Sequence, residues 1–179
     1  FRIQGGYALT ILINKKLIGI RDPFGIRPLI IGKVNKSYVL ASETCALDII
    51  GAKFIREVDN GEIVIITENG MESIKPFPKI KARPCIFEYI YFSRPDSLIN
   101  NISVYEYRKK LGAELAKESH IDADLIVPVP DSGVPAAIGY SEEIKKNIEL
   151  GIIRNHYVGR TFIEPTQEIR SLGVKLKHN

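Results

Sequence analysis

The sequence predicts an α+β unit followed by an α/β unit, on three observations. Residues 6–75 read as short apolar strands separated by Asn-, Asp- and Gly-bearing turns. Residues 76–84, Pro76-Phe77-Pro78-Lys79-Ile80-Lys81-Ala82-Arg83-Pro84, form a Pro- and Lys-rich break. Beyond it, residues 125–153 read as strand, tight polar loop, helix and strand, the order of a βαβ unit.

In chain order, residues 7–13, 17–21, 28–33 and 38–42 are strand candidates. Asn14-Lys15-Lys16, Asp22-Pro23-Phe24-Gly25 and Asn35-Lys36-Ser37 supply the turn chemistry between them, so antiparallel pairing is expected. Ser42-Glu43 is placed to cap a short helix over 44–50, which Gly51 ends. Strands over 54–57, 62–67 and 71–75 follow. Asp59-Asn60-Gly61 and Glu68-Asn69-Gly70 separate them, and both end in Asn-Gly, a hairpin signal. After the break, residues 85–92 are apolar and aromatic. Ser103 is placed to cap a helix reaching about Ser119, with Tyr107, Leu111 and Leu115 along one stripe. A strand over 125–127, a helix over about 135–146 and a strand over 150–153 complete the βαβ pattern. The tail from Arg154 onward is polar, with only weak periodicity, and reads as a long loop.

Composition narrows the function classes. The 179 residues suffice for one large or two small domains, and 45% hydrophobic with 26% charged residues is a globular balance. No apolar run is long enough to span a bilayer and no signal peptide is read, so no membrane partner is expected. A formal charge of +4 suits a phosphorylated ligand but is too small to argue for nucleic acid. The two cysteines, Cys45 and Cys85, are too few for a disulfide framework, which points to a reducing, cytoplasmic setting. The chain opens at Phe1 almost inside a strand and closes at Lys177-His178-Asn179, so it is expected to be an internal piece of a longer protein.

The stretch Leu125-Ile126-Val127-Pro128-Val129-Pro130-Asp131-Ser132-Gly133 carries the candidate chemistry. Two prolines end the strand, and Asp131-Ser132-Gly133 then leads into a helix with Pro135 near its first position. A strand, a tight loop and a helix N-terminus make an anion cradle, because free N–H groups and the helix dipole point into the loop. The same residues also read as an ordinary capped βα turn.

Five stretches in series resemble one family. They are Arg21-Asp22-Pro23-Phe24-Gly25-Ile26-Arg27-Pro28-Leu29, Ala41-Ser42-Glu43-Thr44-Cys45-Ala46-Leu47-Asp48, residues 85–97, Pro128 to Gly133, and residues 154–163. Together they resemble the amidophosphoribosyltransferases, also called glutamine phosphoribosylpyrophosphate amidotransferases. The resemblance implies that 1–75 is the C-terminal half of an N-terminal-nucleophile glutaminase domain with antiparallel sheets. It implies a junction over 76–102, and over 103–179 the start of a type I phosphoribosyltransferase domain built on βαβ. The implied reaction is a pentosyl transfer. Ammonia released from glutamine displaces pyrophosphate from phosphoribosylpyrophosphate, giving 5-phosphoribosylamine and glutamate at the first step of purine synthesis.

The resemblance also assigns residues. Asp131, Ser132 and Gly133 face pyrophosphate and Mg²⁺, with Ser132 on the metal side; a hydroxyl suits a hard cation. Residues 154–177 match the family's flexible loop, which closes over the substrate and excludes water from an electron-poor transition state. In that loop Arg160 and Lys177 are expected to meet substrate, and Arg154 and Tyr157 to make loop and interdomain contacts. Cys85 matches the first of four cysteines that hold a [4Fe–4S] cluster in some members. Homo-oligomers are implied, with phosphoribosylpyrophosphate and glutamine as the small-molecule partners. The chain departs from the family at its ends. The family's nucleophile is an N-terminal Cys whereas position 1 here is Phe, so the glutaminase site is expected upstream, and no strand ending in paired acidic residues follows Ile153, so that motif is expected beyond Asn179. No catalytic residue is therefore expected within these 179 residues, and the piece alone is expected to be inactive. Arg21, Asp22 and Arg27 read as a turn with salt-bridged strand ends rather than as a site. One alternative joins the glutaminase half to another synthase, which the Pro-Asp-Ser-Gly βαβ stretch argues against. A second is a non-enzymatic phosphoribosylpyrophosphate-binding sensor on the same fold.

Overall fold

The structure, a computed structural model, describes residues 3–179; Phe1 lies outside them. The chain forms two compact units, one running to Val104 and the other spanning Tyr105–Asn179.

The first unit holds two antiparallel sheets. β1 (Ala8–Ile13), β2 (Lys16–Arg21), β6 (Ile63–Thr67) and β7 (Gly70–Ile74) form one, in the order β1-β2-β6-β7. β3 (Ile30–Val34), β4 (Ser37–Ala41) and β5 (Lys53–Glu57) form the other, in the order β4-β3-β5. Side chains alternate across a strand, and β3 uses both faces. Leu29 and Ile31 join Val58 and Val64 in a buried cluster that also takes Ala8, Leu40 and Met71, so residues of both sheets meet there. Ile30 points the other way, onto Leu47 and Ala52, where α1 (Thr44–Ile49) covers the sheet. Burying each such aliphatic side chain contributes about 1.5–3 kcal/mol.

The turns divide by what their side chains do. Asn14 and Lys15 take left-handed φ of 45° and 60° between β1 and β2, and Asn35 takes 53° between β3 and β4, giving the expected hairpins. Asp22-Pro23-Phe24-Gly25 makes no hairpin, because it carries the chain from one sheet to the other. The fully buried Asp22 explains it: Oδ1 accepts from the N–H of Phe24 (3.0 Å) and Ile26 (3.1 Å), and Oδ2 from Arg27 (3.1 Å) and Tyr7 (3.3 Å). Asp59-Asn60-Gly61 is likewise a crossover from β5 to β6, not the hairpin that Asn-Gly suggests. Glu62 organises it, accepting from the Asp59 N–H (2.6 Å), Arg56 Nη2 (2.6 Å) and the Ser73 hydroxyl (2.6 Å). Burial by itself would raise the Glu62 pKa, but the hydrogen bonds from Arg56, Ser73 and Asp59, with the Arg56 charge, hold it at about 2.

The segment following the Pro-rich break docks on this unit. The Arg83 N–H donates to the Phe24 carbonyl (2.8 Å), Glu88–Phe92 form one π-helical turn, and β8 (Leu98–Ile99) pairs with β9 (Ile102–Ser103).

In the second unit, α2 (Val104–Glu118) is followed by β10 (Leu125–Ile126), α3 (Val134–Ile144), β11 (Asn147–Ile148) and α4 (Gln167–Lys177). β10 and β11 pair in parallel, Leu125 opposite Asn147 and Ile126 opposite Ile148, with α3 between them. The second strand therefore lies at Asn147–Ile148, ahead of the expected 150–153, because the αL cap at Lys145 ends α3 early and turns the chain straight into the ladder. The expected stripe on α2 is also corrected. Leu111 and Leu115 are exposed, and the buried residues are Val104, Arg108, Gly112 and Ala116, also spaced by four. Close approach of α2 to α3 selects small residues: a Cβ at Gly112 would stand 1.8 Å from the Ala136 carbonyl oxygen, and one at Gly139 1.8 Å from that of Lys109. The tail differs most from expectation, since residues 167–177 are helical rather than irregular. Thr166 caps α4 by accepting from the Ile169 N–H (3.3 Å), Glu168 lies in its first turn, and Lys175 and Lys177 lie in its last, where the macrodipole favours cations. Among the described residues, no helix is long and apolar enough to cross a membrane.

Candidate functional site

The candidate site is the loop between β10 and α3. After Ile126 the chain passes Pro128 and Pro130, and the Pro130–Asp131 peptide is cis. The Asp131 carbonyl and the Val134 N–H are 3.4 Å apart, and the Gly133 N–H donates to the Val129 carbonyl (3.1 Å), which folds the loop back on itself. A Cβ at Gly133 would stand 2.7 Å from that carbonyl oxygen, so the tight turn excludes a side chain there. Gly133 is the N-cap of α3 and no side chain caps the helix. The Pro in the first turn has no N–H to leave unpaired, and the Ala137 N–H donates to the Gly133 carbonyl (3.0 Å). Asp131 and Ser132 are exposed at its tip.

One cation is already held against this loop. Arg154 donates through Nη1 to Asp131 Oδ2, while its Nε is buried with no hydrogen-bond partner. Arg154 is fixed by backbone pairing of its own segment with the end of α4. Ile153 and Asn179 exchange N–H···O bonds of 2.7 and 3.0 Å, Arg154 bridges His178, and the Asn155 N–H donates to the Lys177 carbonyl (2.7 Å). The structure therefore gathers Asp131, Ser132, Gly133 and Arg154 at one loop and ties the backbone of Lys177 to the adjoining segment. It does not gather Tyr157 or Arg160, both of which stand exposed. The loop tip carries the Asp131 carboxylate and the Ser132 hydroxyl, oxygen donors of the kind a hard cation takes.

Cys85 lies in the first unit, half-buried, with its N–H directed at the Ile26 carbonyl (3.4 Å). It is a single thiol. Among the described residues no group of three or more His, Cys, Asp or Glu is placed to hold a metal, so these residues by themselves do not compose a four-thiolate cluster site. Cys45 is buried within α1, as a small hydrophobe. Arg21, Asp22 and Arg27 prove structural. Arg21 donates to the Val58 carbonyl (2.7 Å) and pairs with Glu57 (3.2 Å), and Arg27 pairs with Glu88 (2.7 Å) with its guanidinium 5.1 Å from the Phe92 ring centroid.

Sequence reasoning missed the Asp131–Arg154 pair, although the two residues are 23 apart. The available signal was an Arg six residues beyond the second strand of a βαβ unit.

The fold and loop define a class: an antiparallel two-sheet α+β unit followed by an α/β unit with a Pro-Asp-Ser-Gly βα loop. No family model matches the chain. Curated relatives are specific. The amidophosphoribosyltransferase of Rhizobium etli is 56% identical over 99% of this chain, and that of Bacillus subtilis 50% over 98%. The solved glutamine phosphoribosylpyrophosphate amidotransferase from B. subtilis, complexed with ADP and GMP, superposes with a TM-score of 0.88 at 49% identity over 98% of this chain. The chain is thus homologous to the amidophosphoribosyltransferases along nearly its entire length. It spans 37% of the length of those two curated relatives and 39% of the solved chain.

Proposed function

We propose that this chain is part of an amidophosphoribosyltransferase that transfers ammonia from glutamine to phosphoribosylpyrophosphate, giving 5-phosphoribosylamine and pyrophosphate. On this reading the first unit is part of an N-terminal-nucleophile glutaminase domain. The second is the start of a type I phosphoribosyltransferase domain. The observation that carries it is the Asp131-Ser132-Gly133 loop at the start of α3, with Arg154 drawn onto it and Arg154 Nε left as an unpaired buried donor. An anionic ligand would satisfy that donor.

The chain's own residues then have distinct tasks. The loop N–H groups receive the departing pyrophosphate, and Arg154 supplies the fixed positive charge beside it. Asp131 and Ser132 offer oxygen donors for Mg²⁺, which supplies charge neutralisation of the pyrophosphate when bound. Arg160 and Lys177 add cations from the tail once it folds over the substrate, and Tyr157 contributes a phenol to the closed tail. Cys85 provides one thiolate of an iron–sulfur cluster whose remaining donors are not among the described residues.

The test uses the full-length protein with ammonia as nitrogen donor, which isolates the transferase half. Arg154→Ala should raise the KM for phosphoribosylpyrophosphate by about tenfold or more, the equivalent of one charge-assisted contact. An unchanged KM would remove the loop from the substrate site.

A further inference from the structure

Three hairpin turns of the first unit border one cavity of 510 Å³: Asn14-Lys15 between β1 and β2, Asn35-Lys36 between β3 and β4, and Glu68-Asn69 between β6 and β7. That volume lies within the roughly 300–1,000 Å³ of small-molecule sites. Strand register explains the lining. Leu12 lies opposite Leu17, Leu17 opposite Ile66 and Ile66 opposite Met71, so the four form one row across the first sheet. Residues directly opposite share a face. Met71 packs onto the buried cluster between the sheets, so the row points toward the second sheet, which supplies Tyr38, packed on the same cluster. Toward β1 the row comes into the open: Ile66 is 8% exposed and Leu12 80%. The apolar lining between the sheets therefore meets solvent at the end where these hairpins turn.

The rim of the cavity is basic. Lys15, Lys33 and Lys36 line it, against one carboxylate, Glu68. Lys15 and Glu68 stand 3.8 Å apart with both side chains largely exposed, a pair that water weakens. Lys33 lies opposite Tyr38 on one side, with its ammonium 5.1 Å from the ring centroid, and opposite Lys53 on the other. Like charges directly opposite across strands cost stability. Lys33, Lys36 and Lys53 have no carboxylate partner among the described residues. A single exposed lysine is a solvated charge. Several without counter-charge around an apolar cavity are the complement of an anion with an apolar body.

We infer that this cavity binds a small amphiphilic anion, an aliphatic chain ending in a carboxylate or a phosphate. The chain lies along Leu12, Leu17 and Ile66, and the headgroup meets Lys33 and Lys36. The headgroup also supplies the counter-charge that the Lys33–Lys53 register lacks. The site is built from first-unit residues alone and uses none of those given a task in phosphoribosylpyrophosphate chemistry.

The test is isothermal titration calorimetry of the full-length protein with octyl phosphate, octanoate and octanol. An anion should bind about tenfold or more tightly than octanol, the equivalent of one charge-assisted contact. A preference between the two anions supports the inference and names the headgroup. Lys33→Gln combined with Lys36→Gln should weaken the preferred anion by about tenfold or more. Leu12→Asp, at an exposed position that the fold does not depend on, should weaken it by a similar factor by placing a carboxylate against the chain. Lys81→Gln, in the Pro-rich break, should leave the affinity unchanged. Octanol binding as tightly as the anions overturns the inference, and so does an affinity retained in both the double-lysine and Leu12→Asp variants. An equal loss in Lys81→Gln marks non-specific attraction and overturns it as well, as does the absence of binding by the folded wild type.

Discussion

Replacing Asp22 tests the physical account of the first unit most sharply. Its carboxylate is fully buried and accepts four backbone N–H groups at 3.0–3.3 Å, from Tyr7, Phe24, Ile26 and Arg27. Removing an acceptor from a buried donor costs about 1–3 kcal/mol for each group left unpaired. Asp22→Asn keeps one oxygen, which still serves Phe24 and Ile26, but turns an NH₂ group toward the Tyr7 and Arg27 donors. Two unpaired donors predict a loss of about 2–6 kcal/mol, and Asp22→Ala, which strands all four, a loss above about 4 kcal/mol even after water enters. Urea unfolding measures it as a fall in midpoint at constant slope. A loss of stability for Asp22→Asn smaller than about 0.5 kcal/mol would refute the argument that this carboxylate, rather than Pro23 and Gly25 beside it, sets the turn.

The same reasoning gives further expectations. Glu62 is held at about 2 against an ordinary value of 4.5, so its contribution is complete above pH 4.5 and is lost as the pH falls toward 2. Acid titration of stability should show about 3 kcal/mol of it, and Glu62→Gln should flatten that limb. Gly112→Ala puts a Cβ 1.8 Å from the Ala136 carbonyl oxygen and should lower stability by at least about 1–3 kcal/mol, read from the melting temperature of the second unit. Lys177→Ala should weaken use of phosphoribosylpyrophosphate by about 1.5–3 kcal/mol with glutamine and with ammonia alike; a fall confined to glutamine would make the tail an interdomain coupler instead. Cys85→Ser should abolish iron and the broad visible absorbance of the anaerobically purified full-length protein, and a wild type without iron would refute ligation by Cys85.

Local chemistry made much of the fold legible, and tertiary competition hid the rest. The strands of the first unit and the helices α1 to α3 fall within a few residues of their sequence positions, because period, Asn and Gly turns and Pro punctuation are local signals. The two sheet crossovers were hidden, since Asp22 and Glu62 act on backbone groups that sequence adjacency does not reveal as partners. The buried face of α2 was hidden for a similar reason: Gly112 wins by allowing close approach to α3, against larger side chains with more area to bury. Helix α4 was in principle readable from Thr166, Glu168 and the terminal lysines, but its apolar residues Ile169, Leu172 and Leu176 stay exposed, so the stripe resembles a solvated loop. At the site, the loop itself was legible as strand, Pro, Asp-Ser-Gly and helix start. The partner Arg154 was not, because the pairing depends on where β11 returns the chain.

We propose that this chain is a segment of an enzyme that breaks the anomeric bond of phosphoribosylpyrophosphate. The direct measurement is pyrophosphate release from phosphoribosylpyrophosphate by the full-length protein with Mg²⁺, with glutamine or ammonia as nitrogen donor. Release with either donor, accompanied by 5-phosphoribosylamine, is the expected result, with the KM for phosphoribosylpyrophosphate raised about tenfold or more once Arg154→Ala removes the Asp131–Arg154 pair. Tight binding of phosphoribosylpyrophosphate with no release under either donor would contradict it and mark the protein as a sensor of that ligand.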